Sequence, residues 1–147
     1  MTKRFEDEIT IDAPVEKVYA YVSDFPKHAE WAEHQLKVTK TSDGPVAVGT
    51  TYDTEGKQFG TQKEHSTISE LEPNTMFGWN STGALGLVHH WFALSGNGGS
   101  TVLKKGGEFV QPKFLAKLTG FRINKLFPVA LKKNLEDIKA KLEGSAA

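Results

Sequence analysis

Five histidines are the residues of this 147-residue chain best placed to move protons or bind metal, because imidazole titrates nearest neutral pH. His89 and His90 are adjacent in the run Leu87 to Leu94, which reads as a strand, so their side chains point to opposite faces. His90 shares parity with Val88, Phe92 and Leu94 and is expected inside, whereas His89 goes with Trp91. Glu64 and His65 are also neighbours on a strand-like run and diverge, so they form no dyad. A His65–His90 pair forms only if strand register brings the two together. His28 and His34 bracket Trp31 and are expected at the surface. Tyr52 adds a phenol on a further strand-like run. His90, His65 and Tyr52 are therefore the candidate catalytic residues, as acid, base or hydrogen-bond donor beside a carbonyl.

Other chemistries find no support. There is no His-x-x-x-His pair and no cysteine, so no metal site is expected and thiol catalysis and disulfides are excluded. No Gly-x-Ser-x-Gly elbow occurs, and neither Gly96–Gly99 nor Gly106-Gly107 leads into a phosphate-binding Lys-Ser/Thr; no cofactor is expected. Lys+Arg and Asp+Glu balance at 18 each, which gives no broad electrostatic case for nucleic acid or an anionic membrane. Lys132, Lys133, Lys139 and Lys141 are interrupted by Glu136, Asp137 and Glu143 and read as a solvated helix face. The opening Met-Thr-Lys-Arg-Phe-Glu-Asp-Glu is not the apolar run of a signal peptide. No apolar stretch reaches the length of a membrane span, and a cytoplasmic location is expected.

The elements that must hold these residues follow from periodicity. Phe5 to Ile11 alternates as a strand. A helix starts at Pro14, with Val15, Val18, Tyr19 and Val22 as its apolar stripe. Asp24-Phe25-Pro26 ends it, and a second short helix is expected from Pro26 to about His34. Strands follow at Leu36–Thr41, Val48–Thr54, Thr61–Leu71, Met76–Ser81, Leu87–Leu94 and Thr101–Val110, with Gly96–Gly99 as a hairpin turn. A bulge is expected at Gly106-Gly107. From Pro112 to about Glu143 the pattern is helical. Leu131, Leu135, Ile138 and Leu142 share one face and Phe114, Leu118 and Phe121 another stretch of it. Such a helix is ~45 Å long, with a kink expected near Pro128. The pattern is α+β, one domain over 1–147, with helices segregated from an antiparallel sheet.

This order, with several local signatures, resembles the START-like (helix-grip) superfamily and its polyketide cyclase/dehydrase-like family. The signatures are Ile9-Thr10-Ile11-Asp12-Ala13-Pro14, Val18-Tyr19, Val22, Asp24, Phe25 and Trp31, then Val48-Gly49-Thr50, Ile68-Ser69-Glu70-Leu71-Glu72-Pro73 and Trp79. Phe92, Leu94 and Gly99-Ser100-Thr101 complete them. The resemblance implies a curved antiparallel sheet wrapped around a long C-terminal helix, with two short helices after the first strand. It implies a partner as well: an apolar or aromatic small molecule, lipid or polyketide-like, held between sheet and helix. The expected ligand-binding residues are Trp31, Tyr52, Trp79, His90, Phe92, Phe114, Leu118 and Phe121, with Gly83–Gly86 edging an entrance. The alternatives are a cyclase or aromatase built on the same cavity, and an interaction protein that docks a macromolecule.

Overall fold

The computed structural model describes residues 3–32, 37–56 and 62–144. The strands are β1 Lys3–Ile11, β2 Lys37–Lys40, β3 Thr51–Gly56, β4 Gln62–Glu72, β5 Met76–Gly83, β6 Gly86–Asn97 and β7 Ser100–Pro112. Between β1 and β2 come α1, Val15–Val22, and a 3-10 helix, Phe25–Glu30; after β7 come α2, Phe114–Leu118, and α3, Gly120–Gly144. All strands lie in one antiparallel sheet ordered β1-β7-β6-β5-β4-β3-β2. This is the expected helix-grip fold, a curved sheet with a long C-terminal helix.

Local sequence explains each element. In β6, Val88, His90, Phe92 and Leu94 are buried, the two-residue period of a strand with one face inward. The β5–β6 hairpin turns on Ala84-Leu85, and Gly86 at φ 103 supplies the left-handed residue such a turn requires. The inward stripe of the C-terminal segment is Ala116, Gly120, Ile123, Leu131, Leu135, Ile138 and Leu142, stepping by three or four or their multiples. The chain stays helical through Pro128; the segment is interrupted between Leu118 and Gly120, where the poor helix former glycine begins α3.

Two other expectations are corrected. Strand register runs unbroken through Gly106 and Gly107, which face Trp91 and His90. These glycines are needed for close approach instead: a Cβ on Gly106 would overlap the Trp91 indole, and one on Gly107 would come within 2.8 Å of the Phe127 ring. The register shifts occur at Ile68/Glu70 and Leu87/Val88. His28 is fully buried, not exposed, and its Nε2 donates to the Val22 carbonyl at 2.7 Å. The cause is the 3-10 period of three residues per turn, which sets Phe25, His28 and Trp31 on one face against the sheet. His34 lies outside the described residues. In the Gly83–Gly86 turn, Leu85 packs with Val88 and Phe109, and its carbonyl accepts from the Lys113 N–H at 3.1 Å.

The buried side chains form two clusters. One joins α1, the 3-10 helix and the C-terminal half of α3 to the sheet around Phe25, Phe77, Trp79, Phe92, Leu103 and Leu135. The other, smaller, holds Val88, Phe109, Ala116 and Ile123, with Phe5, Leu85 and Phe127 against them.

Candidate functional site

Directly opposed residues of antiparallel strands share a face, so register maps the concave side of the sheet. Tyr52 faces Ser66, Ser66 faces Ser81, Trp79 faces His90, and Phe92 faces Lys105. Glu64 shares that side by its period-two relation to Ser66. Along β7 the inward residues are Leu103, Lys105, Gly107 and Phe109, and along β6 they are Phe92, His90 and Val88. In each case an apolar residue of the large cluster comes first and one of the small cluster last. The residues between them, Glu64, Ser66, Ser81, His90 and Lys105, form a polar seam across an otherwise apolar face.

The seam is desolvated. Ser66 Oγ and Ser81 Oγ hydrogen-bond at 2.8 Å, both fully buried. His90, 6% exposed, stacks on Trp79 with ring centroids 5.0 Å apart and planes 17° from parallel. Trp79 Nε1 and Glu64 Oε1 are buried with no hydrogen-bond partner among the described residues. Burial pushes the Glu64 carboxyl up to about 7, since removal from water disfavours the carboxylate. Lys105 is buried, and its ammonium lies 5.6 Å from the Trp31 ring centroid and 5.8 Å from that of Phe92. Burial lowers its pKa to about 8. Aromatic faces offset part of the cost of burying that cation. Asp7 opposes Lys105 in register but is exposed, and no ion pair joins them among the described residues.

The anticipated site residues divide. Trp31, Tyr52, Trp79, His90 and Phe92 are buried on the concave side. Tyr52 packs on Phe25 at 4.6 Å, and its phenol pKa is raised by burial and then by the charge of Asp24. Phe114, Leu118 and Phe121 do not line the site: they are 77%, 63% and 74% exposed. The helix face turned inward at that end carries Ala116, Gly120 and Ile123, one helical step around from the aromatic stripe. His65 does not meet His90 either. It lies on the convex side, where Nδ1 donates to Asp53 Oδ1 at 2.8 Å. This pair borders a cleft of about 520 Å³ lined also by Lys37, Thr39, Thr54, Glu55, Lys63 and Thr82; Glu64 reaches the same cleft, which has no aromatic wall for an apolar ligand.

Glu64, Ser66, Ser81 and Lys105 were not among the sequence-based candidates. A parity signal for them exists: Glu64 and Ser66 are in step with Ile68, and Lys105 is in step with Leu103 and Phe109. A charged residue at an apolar position of a strand is the informative exception.

Comparison with known proteins agrees with this architecture. The sequence profile of the polyketide cyclase/dehydrase and lipid transport family matches residues 2–143, and the chain belongs to that family. No functionally curated protein matches it in sequence. Among solved structures it is similar to the ZhuI aromatase/cyclase of Streptomyces sp. R1128, at 14% identity and TM-score 0.78, over 100% of this chain and 97% of that one. It is similar to the di-domain aromatase/cyclase StfQ of the steffimycin biosynthetic pathway, at 17% identity and TM-score 0.78, over 99% of this chain and 52% of that one. It is similar also to the protein TTHA0849 from Thermus thermophilus, at 13% identity and TM-score 0.76, over 99% and 100%. At these identities the likeness is one of fold. No helix among the described residues is long and apolar enough to cross a membrane.

Proposed function

We propose that the protein binds an apolar or aromatic small molecule carrying at least one polar group, held between the polar seam and the inward face of α2 and the start of α3. The observation that carries this reading is that two of the three buried polar side-chain atoms without partners among the described residues, Trp79 Nε1 and Glu64 Oε1, lie along the seam, the third being Trp31 Nε1. Buried polar groups in native proteins are nearly always satisfied, and leaving one unmade costs about 1–3 kcal/mol. A ligand oxygen accepting from the indole and a hydroxyl meeting the carboxyl would relieve both, while its hydrocarbon body covers Val88, Phe109 and Ile123. The helix side of this region presents the small residues Ala116 and Gly120. An apolar wall with a few polar groups is the usual make-up of a ligand site.

The test is a fluorescence titration with 1-naphthol, following tryptophan quenching. Saturable binding is expected, and Ala116→Trp, which sets a bulky ring on the inward face of α2, should weaken it at least tenfold while the fold persists by circular dichroism. Absence of saturable quenching would overturn the reading.

A second reading, a cyclase or aromatase, is favoured by Glu64. A carboxyl held near pH 7 exchanges protons at neutral pH, as a general acid–base catalyst requires. On this reading Glu64 takes the role that the sequence suggested for His65, with His90 and Tyr52 as the remaining candidates on the same side. Glu64→Gln should then lower turnover of a poly-β-ketone substrate by ~10²–10⁴ with binding kept.

A further inference from the structure

We infer that the α2 region and the first half of α3 form a docking surface for an anionic lipid bilayer. Three observations meet there. First, from Lys113 to Lys133 the chain carries Lys113, Lys117, Arg122, Lys125, Lys132 and Lys133 and no acidic residue. Twelve of the eighteen cations and all eighteen acidic residues lie elsewhere, so a neutral protein concentrates positive charge in this one segment. All six cations are exposed. One of them, Lys133, is paired with Asp137 at 2.9 Å.

Second, the same segment exposes large apolar side chains: Phe114 77%, Leu118 63%, Phe121 74%, Leu126 41% and Val129 64%. Outside it and the adjoining Val110, only Val46 and Val48 are as exposed among the large hydrophobic side chains of the described residues. Contiguous exposed apolar surface marks an interaction site. Third, spacing joins the two. Phe114 and Leu118 lie one turn apart on α2 and Phe121 follows in the first turn of α3, with Lys117 and Arg122 next to them in the sequence. Aromatic and aliphatic side chains on one face with Lys and Arg at the flanks is the pattern of a helix lying in a bilayer interface. The apolar side enters the headgroup–acyl boundary and the cations meet lipid phosphates. A second copy of this chain would bring the same positive surface against itself. That repulsion argues for a negatively charged apolar partner, and an anionic bilayer supplies both properties.

The inference stands apart from ligand binding at the seam, because every residue it uses points away from the sheet. The test is co-sedimentation with vesicles of pure phosphatidylcholine and with vesicles containing about one-third phosphatidylglycerol. The protein is expected to sediment with the anionic vesicles, to leave them at about 0.5 M salt as screening shortens electrostatic reach, and to ignore the neutral ones. Phe114→Ser/Phe121→Ser and Lys117→Glu/Arg122→Glu should each weaken the partition at least tenfold. Because those side chains are exposed, circular dichroism should stay unchanged. Phe121→Trp should shift its emission to the blue on anionic vesicles alone. No partition into anionic vesicles, equal partition of the parent and both double variants, or a discrete protein dimer in place of vesicle binding would each overturn the inference.

Discussion

The two ends of the concave face are built differently. At the end holding Trp79, Phe92 and Leu103, the sheet is covered by α1, by the 3-10 helix with its Phe25-His28-Trp31 face, and by Leu135, Ile138 and Leu142 of α3. Aromatic rings interlock there, with Phe25 5.4 Å from Trp79 and Trp31 5.5 Å from Phe92. At the other end the cover is Ala116, Gly120, Ile123 and Phe127, and the larger side chains of the same helices face outward. The C-terminal segment thus seals the sheet with Leu135, Ile138 and Leu142 at one end and meets it with Ala116, Gly120, Ile123 and Phe127 at the other. The first end is a folding core. The second is a smaller cluster, with Phe114 and Leu118 exposed on the outer side of α2.

The sharpest way to break this comparison is to delete side chains at both ends. Leu135 is 1% exposed within the large cluster, so Leu135→Ala should cost about 2–5 kcal/mol in urea denaturation. Ile123 is also buried, but in the small cluster, where its neighbours are fewer and Ala116 and Gly120 leave room to relax. Ile123→Ala should cost about 1–2 kcal/mol, below the usual range for an aliphatic deletion in a closed core. Equal losses would show that both ends are packed alike.

The seam between the ends is sharpened by pH. Glu64 has its pKa raised from 4.5 to about 7, so the folded state holds a proton there that the unfolded state has released. Its contribution is fully present below pH 4.5 and is lost as pH rises to about 7, amounting to about 3 kcal/mol. Glu64→Gln should abolish that decline. Lys105 acts in the opposite window. Its pKa falls from 10.5 to about 8, so stability rises as pH climbs between those values and is lost again as pH falls through the lower one. Lys105→Met should remove the rise and stabilise the protein at pH 7 by about 2 kcal/mol, after allowing for the lost ring contacts. Thermal unfolding between pH 4 and 11 measures both. A flat profile for the parent protein would mean that the seam is solvated.

Legibility differed between the same regions. The strand order, α1 and the Leu131–Leu142 stripe were readable because they obey one periodicity each and bury the residues that periodicity selects. The second short helix was readable, but its buried face was not traced, so His28 looked exposed although its spacing of three from Phe25 and Trp31 turns it inward. His90 was placed inward by parity, whereas a meeting of His65 with His90 depended on the registers of β4 with β5 and β5 with β6, which no local pattern encodes. The Phe114–Leu118–Phe121 stripe is the instructive error. Apolar periodicity identifies which residues share a helix face but not which way that face is turned. Here a second stripe of small residues, Ala116 and Gly120, takes the inner side.

The smallest expected effect separates the two stripes. Leu118 and Leu131 belong to the same C-terminal helical segment, yet Leu118 is 63% exposed and Leu131 is 2%. Burial of a leucine side chain contributes roughly 1.5–3 kcal/mol, and Leu118 has little of that to lose. Leu118→Ser should therefore change folding stability by about 0.5 kcal/mol or less, the ordinary range for a surface position. Leu131→Ser should cost several times more, because it leaves a hydroxyl in an apolar setting as well as a void. Urea midpoints of the two variants, measured without lipid or ligand, decide the matter. A loss at Leu118 comparable with that at Leu131 would mean that the outward stripe packs against protein in solution, and the two ends of the molecule would then be alike.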